Sequence, residues 1–175
     1  MEDWREDIEA LQGVYPYSPD VDLPAVAEVL HVRGFKDLSV LAGVASVRTL
    51  RVENARPSEL VRLSVLTPGL ETLVVGGLHV TDLGYLRGVG APSTVVLTDH
   101  TKVERLDGIE ALSSTTSLTL DNVPRIRDLR PLSALTSLRR LRIATLMSRA
   151  INGSDQLIDS LAPLKALRSL ERLAF

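Results

Sequence analysis

The sequence predicts an α/β coil of short turns. Each turn adds one short strand to a single parallel sheet and returns along a 3₁₀-like or short helical outer path. Three observations predict it. First, alternating apolar triplets recur along the chain: "LHV" (30–32), "LRV" (50–52), "LVV" (73–75), "VVL" (95–97), "LTL" (118–120), "LRI" (141–143) and "LAF" (173–175), with starts 20, 23, 22, 23, 23 and 32 residues apart. Second, the intervals carry an apolar residue on every third position, as in Leu129, Leu132, Leu135, Leu138 and Leu141. That step suits neither an amphipathic helix nor a half-buried strand. Third, the chain is 45% hydrophobic but only 3% aromatic, so its interior must be leucine and valine.

The elements follow in order. In "EDWREDIEALQ", Trp4, Ile8 and Leu11 share one face of a short helix. It is expected to be an N-terminal lid, because a coil exposes its core at both ends. A proline-marked loop, "YPYSPD", closes this first region, residues 1–28. Residues 29–175 form the coil of about six to seven turns. In each triplet the outer two side chains point to one side and the middle one to the other. Stacked turns would pair the triplets as parallel strands about 4.8 Å apart, with the period-three leucines filling a shared core. Gly76–Gly77 are expected to make a tight turn after the third strand. The long last step contains an insertion near 147–155, where "SDQLIDSL" suits a helix capped by Ser154 with Leu157 and Leu161 inward. The chain then reaches "LERLAF" with no polar cap, so a partner or further chain is expected to cover that end.

The stretch "SLTLDNVPRIRDLRPLSALTSLRRL" (117–141) resembles the leucine-rich repeat pattern LxLxxNxIxDLxPLxxLxxL, with Ile126, Asp128, Leu129, Pro131, Leu132, Leu135 and Leu138 in the family's order. "HVTDLGYLRGV" (79–89) and "IDSLAPLKALRSLERL" (158–173) repeat it more loosely. The chain therefore resembles the short bacterial, internalin-like class of that family, over roughly residues 29–175. The family asparagine belongs five residues past the triplet's start. Here Asn54 and Asn122 lie four past it, and Leu78 takes the place in the third copy. The resemblance implies an irregular asparagine ladder and a parallel sheet lining a concave binding face. It also implies a context: cytoplasmic bacterial repeats of this kind often end larger NACHT-type nucleotide-dependent switch proteins.

Composition narrows the function. The net charge of −2 gives no general pull toward nucleic acid or an anionic membrane. Charge is nonetheless uneven. Residues 1–22 hold seven acids against Arg5, and residues 125–149 hold seven arginines against Asp128. There is no cysteine, hence no disulfide framework or thiolate chemistry. The acidic start is unlike a signal peptide, and no apolar run reaches the roughly 18 residues of a membrane span. A cytoplasmic protein is expected. His31, His79 and His100 fall in different repeats without triad or metal-ligand spacing. Asp99–His100 and Asp121 are the one set that neighbouring turns could bring together. "GVGAPST" (88–94) lacks a phosphate-loop lysine and a following helix. No catalytic residue, metal or cofactor is expected.

Surface remains. The triplet middles read His31, Arg51, Val74, Val96, Thr119, Arg142 and Ala174, and the preceding positions Val29, Thr49, Thr72, Thr94, Ser117, Arg140 and Arg172. An open inner wall is expected, with Val74 and Val96 as an exposed apolar centre and charge at either end, as in a protein-binding patch. The candidate contacts are Arg33, Arg51, Thr72, Val74, Thr94, Val96, Thr119, Arg140 and Arg142. Met147, Arg149 and Asn152 in the insertion form a second candidate loop. The predicted function is non-catalytic binding of a protein, a peptide or another domain of the same parent chain, with no nucleic-acid or membrane partner. A secreted adhesin and a stand-alone regulatory subunit of an enzyme are the alternatives.

Overall fold

A computed structural model describes residues 16–19, 22–144 and 158–175. Seven strands form one sheet in strict chain order: β1 (Val29–Arg33), β2 (Thr49–Glu53), β3 (Thr72–Gly76), β4 (Thr94–Thr98), β5 (Ser117–Asp121), β6 (Arg140–Ala144) and β7 (Arg172–Ala174). Every neighbouring pair is parallel and in register, so Leu30, Leu50, Leu73, Val95, Leu118, Leu141 and Leu173 align across the sheet. All seven strands sit on the predicted triplets.

The turn out of each strand has a common chemistry. Gly34, Asn54, Gly77, Asp99 and Asn122 each follow a strand directly and adopt φ between +54° and +74°. The chain bends sharply there, and only Gly, Asn and Asp visit that left-handed region readily. Each of these residues donates its backbone N–H to the last carbonyl of the next strand: Gly34 to Glu53, Asn54 to Gly76, Gly77 to Thr98, Asp99 to Asp121 and Asn122 to Ala144, at 2.8–3.1 Å. Asn54 and Asn122 are thus corner residues, and the offset of four is explained. The place five past each triplet start belongs to Phe35, Ala55, Leu78, His100 and Val123, all buried. The inward corner is filled mainly by apolar side chains, so no asparagine ladder is needed.

From that corner the period-three ladder runs inside. Leu129, Leu132, Leu135, Leu138 and Leu141 are each at most 1% exposed. A polar member, Thr115, is fully buried and donates its hydroxyl to the Pro92 carbonyl of the preceding turn at 2.8 Å. The outer paths are single 3₁₀ turns at Ser39–Gly43, Gly84–Gly88, Ile109–Leu112, Arg130–Ala134 and Ala162–Ala166. A 3₁₀ turn repeats every three residues, which matches the leucine spacing. The second turn departs from this, with two one-turn helices, α1 (Pro57–Leu60) and α2 (Leu63–Leu66). Pro57 opens α1, where its missing N–H leaves no bond unmade. Stacking here is close: a Cβ on Gly88 would fall on the Val61 carbonyl of the turn before.

Across the turns, arginines meet acids at equivalent places: Arg48 with Glu71, Arg87 with Glu110, Arg105 with Asp82, Arg125 with Glu104 and Arg139 with Glu171. All are exposed, so each contributes ~0–1 kcal/mol. They favour correct neighbour stacking more than they add stability.

The free edge of β1 is partly closed by Tyr17, which bridges to it through Tyr17 N–H to His31 O (2.7 Å) and Arg33 N–H to Tyr17 O (2.9 Å). The expected lid residues Trp4, Ile8 and Leu11, the insertion 147–155 with Ser154, and Leu157 lie outside the described residues. Leu161 does not turn inward as expected. It is 50% exposed and precedes a 3₁₀ turn, and no described residue stacks over this last turn. Leu173 and Phe175 are exposed for the same reason. Among the described residues no helix is long and apolar enough to cross a membrane.

Candidate binding face

The sheet has two faces. Leu30, Val32 and their counterparts point into the leucine core, so positions one, three and five of each strand line the opposite face. The strand register gathers the predicted residues into rows there. Thr72, Thr94 and Arg140 share the first row, with Ser117 between the last two, and Arg51, Val74, Val96, Thr119 and Arg142 share the middle one. Arg33 lies in the third row beside Glu53. Met147, Arg149 and Asn152 lie outside the described residues.

The expected open apolar centre does not form. Val74 and Val96 are each 1% exposed and Thr119 is 2% exposed. Val74 and Val96 make a small apolar cluster of their own, apart from the leucine core, with Val29 packed against it. Branched side chains directly opposite on strands about 4.8 Å apart close on one another and withdraw from solvent. Thr94, Ser117 and His31 are buried as well. The accessible candidate contacts are polar: Arg33 is exposed, and Arg51, Thr72, Arg140 and Arg142 are half-buried.

The best-defined constellation is at the β1–β2 end and centres on Glu53, which the candidate set omitted. Its carboxylate accepts from Arg33 Nε at 2.5 Å and from Arg51 Nε at 2.7 Å, with Arg51 Nη2 in ion-pair contact at 2.5 Å; His31 Nε2 lies 3.4 Å away. The Glu53 side chain is only 12% exposed. Burial by itself would raise its pKa, but hydrogen bonding from Arg33 and the charge and hydrogen bonding of Arg51 outweigh it and hold the group below the ordinary carboxylate range. The signal was present in the register: Arg51 and Glu53 are two apart on one strand face, and Arg33 aligns with Glu53. Beside this cluster lies a cleft of about 420 Å³ lined by Arg33, Arg51, Glu53, Asn54, Gly76, Gly77 and Asp99.

The histidines do not converge. His79 is exposed. His100 is fully buried at its corner, with Nδ1 2.9 Å from the Thr98 carbonyl and Nε2 2.9 Å from the Tyr85 hydroxyl. A carbonyl only accepts, so Nδ1 carries the proton and Nε2 accepts from Tyr85. Burial lowers the His100 pKa and raises that of Tyr85. Asp99 does meet the next turn, through its N–H to Asp121 O (3.0 Å), while His100 turns inward away from them. Among the described residues no three His, Asp or Glu side chains are placed to share a metal ion.

No family model matches the sequence, and no curated protein matches it either. Among solved structures, the crystal structure of internalin C2 from Listeria monocytogenes is similar, with a TM-score of 0.58 and 22% identity over 83% of this chain. A second is internalin F from the same organism, at TM-score 0.41 and 18% identity over 96% of this chain and 49% of that one. The chain spans 60% of the length of the internalin C2 structure. That first likeness and the seven in-register parallel strands establish the fold as a leucine-rich repeat solenoid.

Proposed function

We propose that this chain is a recognition module that binds a protein or peptide across the open sheet face. The observation that carries the reading is a set of half-buried polar side chains, Thr72 and Arg140 in the first row and Arg51 and Arg142 in the middle one, held on a single in-register sheet. A rigid sheet presents such side chains at fixed intervals, so a ligand meets a face already ordered. The internalin-like fold is consistent with this use. We extend the proposal to context: a cytoplasmic recognition segment of a larger bacterial regulatory protein, such as a NACHT-type switch, on the resemblance of its repeats. A secreted adhesin is the competing context, and the same fold suits it.

A photo-crosslinking amino acid at Thr72, on the open face, tests the module against a control at Glu110 on the outer path. In host extract, adducts specific to Thr72 that disappear with Arg51→Glu plus Arg140→Glu are the expected result. Equal adducts from both positions, or adducts insensitive to the arginine changes, would refute the open face as the site. Fractionating host cells for the full-length product separates the two contexts.

A further inference from the structure

We infer that the cleft between the Arg33–Arg51 pair and Asp99 is a pocket for one carboxylate, supplied by an acidic side chain of an extended peptide; this rests on the interaction-module reading and specifies its ligand. The floor is the Gly76–Gly77 backbone. Every other described member of the third row from β1 to β6 has a side chain, and Gly76, without one, lets Glu53 and Thr98 close toward each other over its backbone. A Cβ there would stand 3.3 Å from Glu53 Cγ and 3.3 Å from Thr98 Cγ2.

The wall on one side carries unequal charge. Two guanidinium groups share the single Glu53 carboxylate, which leaves one positive charge over. Glu53 takes Nε of Arg33, and Nε and Nη2 of Arg51. The two Nη groups of Arg33 and Nη1 of Arg51 are therefore not used on Glu53. The Arg33 side chain is 52% exposed and that of Arg51 30%, so both reach solvent while their anchor is sheltered. Paired to Glu53, their rotamers are fixed before any ligand arrives, which removes much of the ordering cost of binding. A planar carboxylate matches the N–H edge of a guanidinium in a two-point contact.

The opposite wall sets the limit. Asp99 accepts from Asn122 Nδ2 at 2.7 Å and from the Thr98 hydroxyl at 3.2 Å, and both contacts hold it in place. A fixed negative charge there repels a second anionic group and accepts an N–H. The pocket thus favours a single carboxylate followed by a peptide amide, and it disfavours phosphate or a nucleic-acid backbone.

The test is NMR titration of the intact chain, read at the Nε–Hε resonances of Arg33 and Arg51 and the amides of Gly76 and Gly77. The probe is acetyl-Gly-Gly-Glu-Gly-Gly-amide, with the Gln and Lys peptides and inorganic phosphate as controls. The Glu peptide should shift these four sites together, and the shifts should shrink in 0.5 M salt and in Arg51→Gln. Arg33→Gln, at a more exposed side chain, gives the same reading if Arg51→Gln fails to fold. Equal shifts from the Gln peptide or from phosphate, or shifts from the Glu peptide that miss these sites, would overturn the pocket. Open-face crosslinking with unmoved arginines would sink the pocket and leave the module standing. Shifts at the four sites with crosslinks only on the outer path would do the reverse.

Discussion

Asn122 donates its side-chain Nδ2 to the Asp99 carboxylate at 2.7 Å, and the two residues occupy the same left-handed corner in successive turns. One residue therefore does two jobs: it tolerates the bend and it ties the turn to its neighbour. Asn122→Ala loses both. The expected cost is about 1–3 kcal/mol, combining a partly buried hydrogen bond with a left-handed alanine. Asn122→Gly keeps the bend and should cost less. Urea unfolding of both variants checks the order, and glycine proving worse than alanine would contradict the corner's role.

The period-three ladder makes a steeper prediction. Leu132 is fully buried, so Leu132→Ala should cost ~2–5 kcal/mol by leaving a cavity. Leu161, half-exposed one turn later, should cost under about 1 kcal/mol. Both belong to the same sequence pattern, so a large difference between their unfolding midpoints would separate packing from pattern.

Val74 and Val96 supply a third. On an open wall, glutamate at both would be tolerated by the fold. They are 1% exposed and packed together, so two carboxylates there would be desolvated without partners. Val74→Glu plus Val96→Glu should lower the melting temperature strongly, while Val74→Thr plus Val96→Thr, nearly isosteric, should lower it far less. An unchanged melt for the double glutamate would place these side chains in solvent.

His100 gives a pH dependence. Its folded-state pKa lies below the ordinary 6.5 because it is buried, despite the Thr98 carbonyl and the Asp99 charge, which pull the other way. The unfolded chain therefore takes up the proton first. The stabilisation is complete above pH 6.5 and is lost as pH falls below it. A protonated Nε2 would also meet the Tyr85 hydroxyl donor to donor until that hydroxyl rotated. Stability measured from pH 7.5 to 5.5 should fall in the wild type and stay flatter in His100→Phe; matching slopes would exclude His100 as the cause.

Much of the fold could be read in advance because one repeat sets both features that matter: the alternation in "LTL" and the step of three from Leu129 to Leu141. The alternation specifies a strand, and the step specifies a 3₁₀ return. The second turn takes the short helical alternative, because Pro57 and the Leu60–Leu63 spacing suit helical geometry, and two short α-helices form. The rows of the candidate face were legible in the sequence, but its exposure was not. Residue type says that valine favours a strand, yet whether Val74 is covered depends on what stands beside it on β4. Glu53 was missed for a related reason. An acid surrounded by Arg33, Arg51 and His31 is unremarkable in one dimension and becomes a hub only when β1 and β2 are laid side by side.

The forward-reaching corner N–H groups also bear on how the molecule would yield to force. Each is a bond from one coil to its successor, at Gly34, Asn54, Gly77, Asp99 and Asn122 alike, and none bridges more than one interval. Tension applied to the two termini should therefore peel coils singly instead of rupturing the whole at once. Extension traces would then rise in a sawtooth whose teeth each release about 8 nm, the contour of some 22 residues at ~3.5 Å apiece.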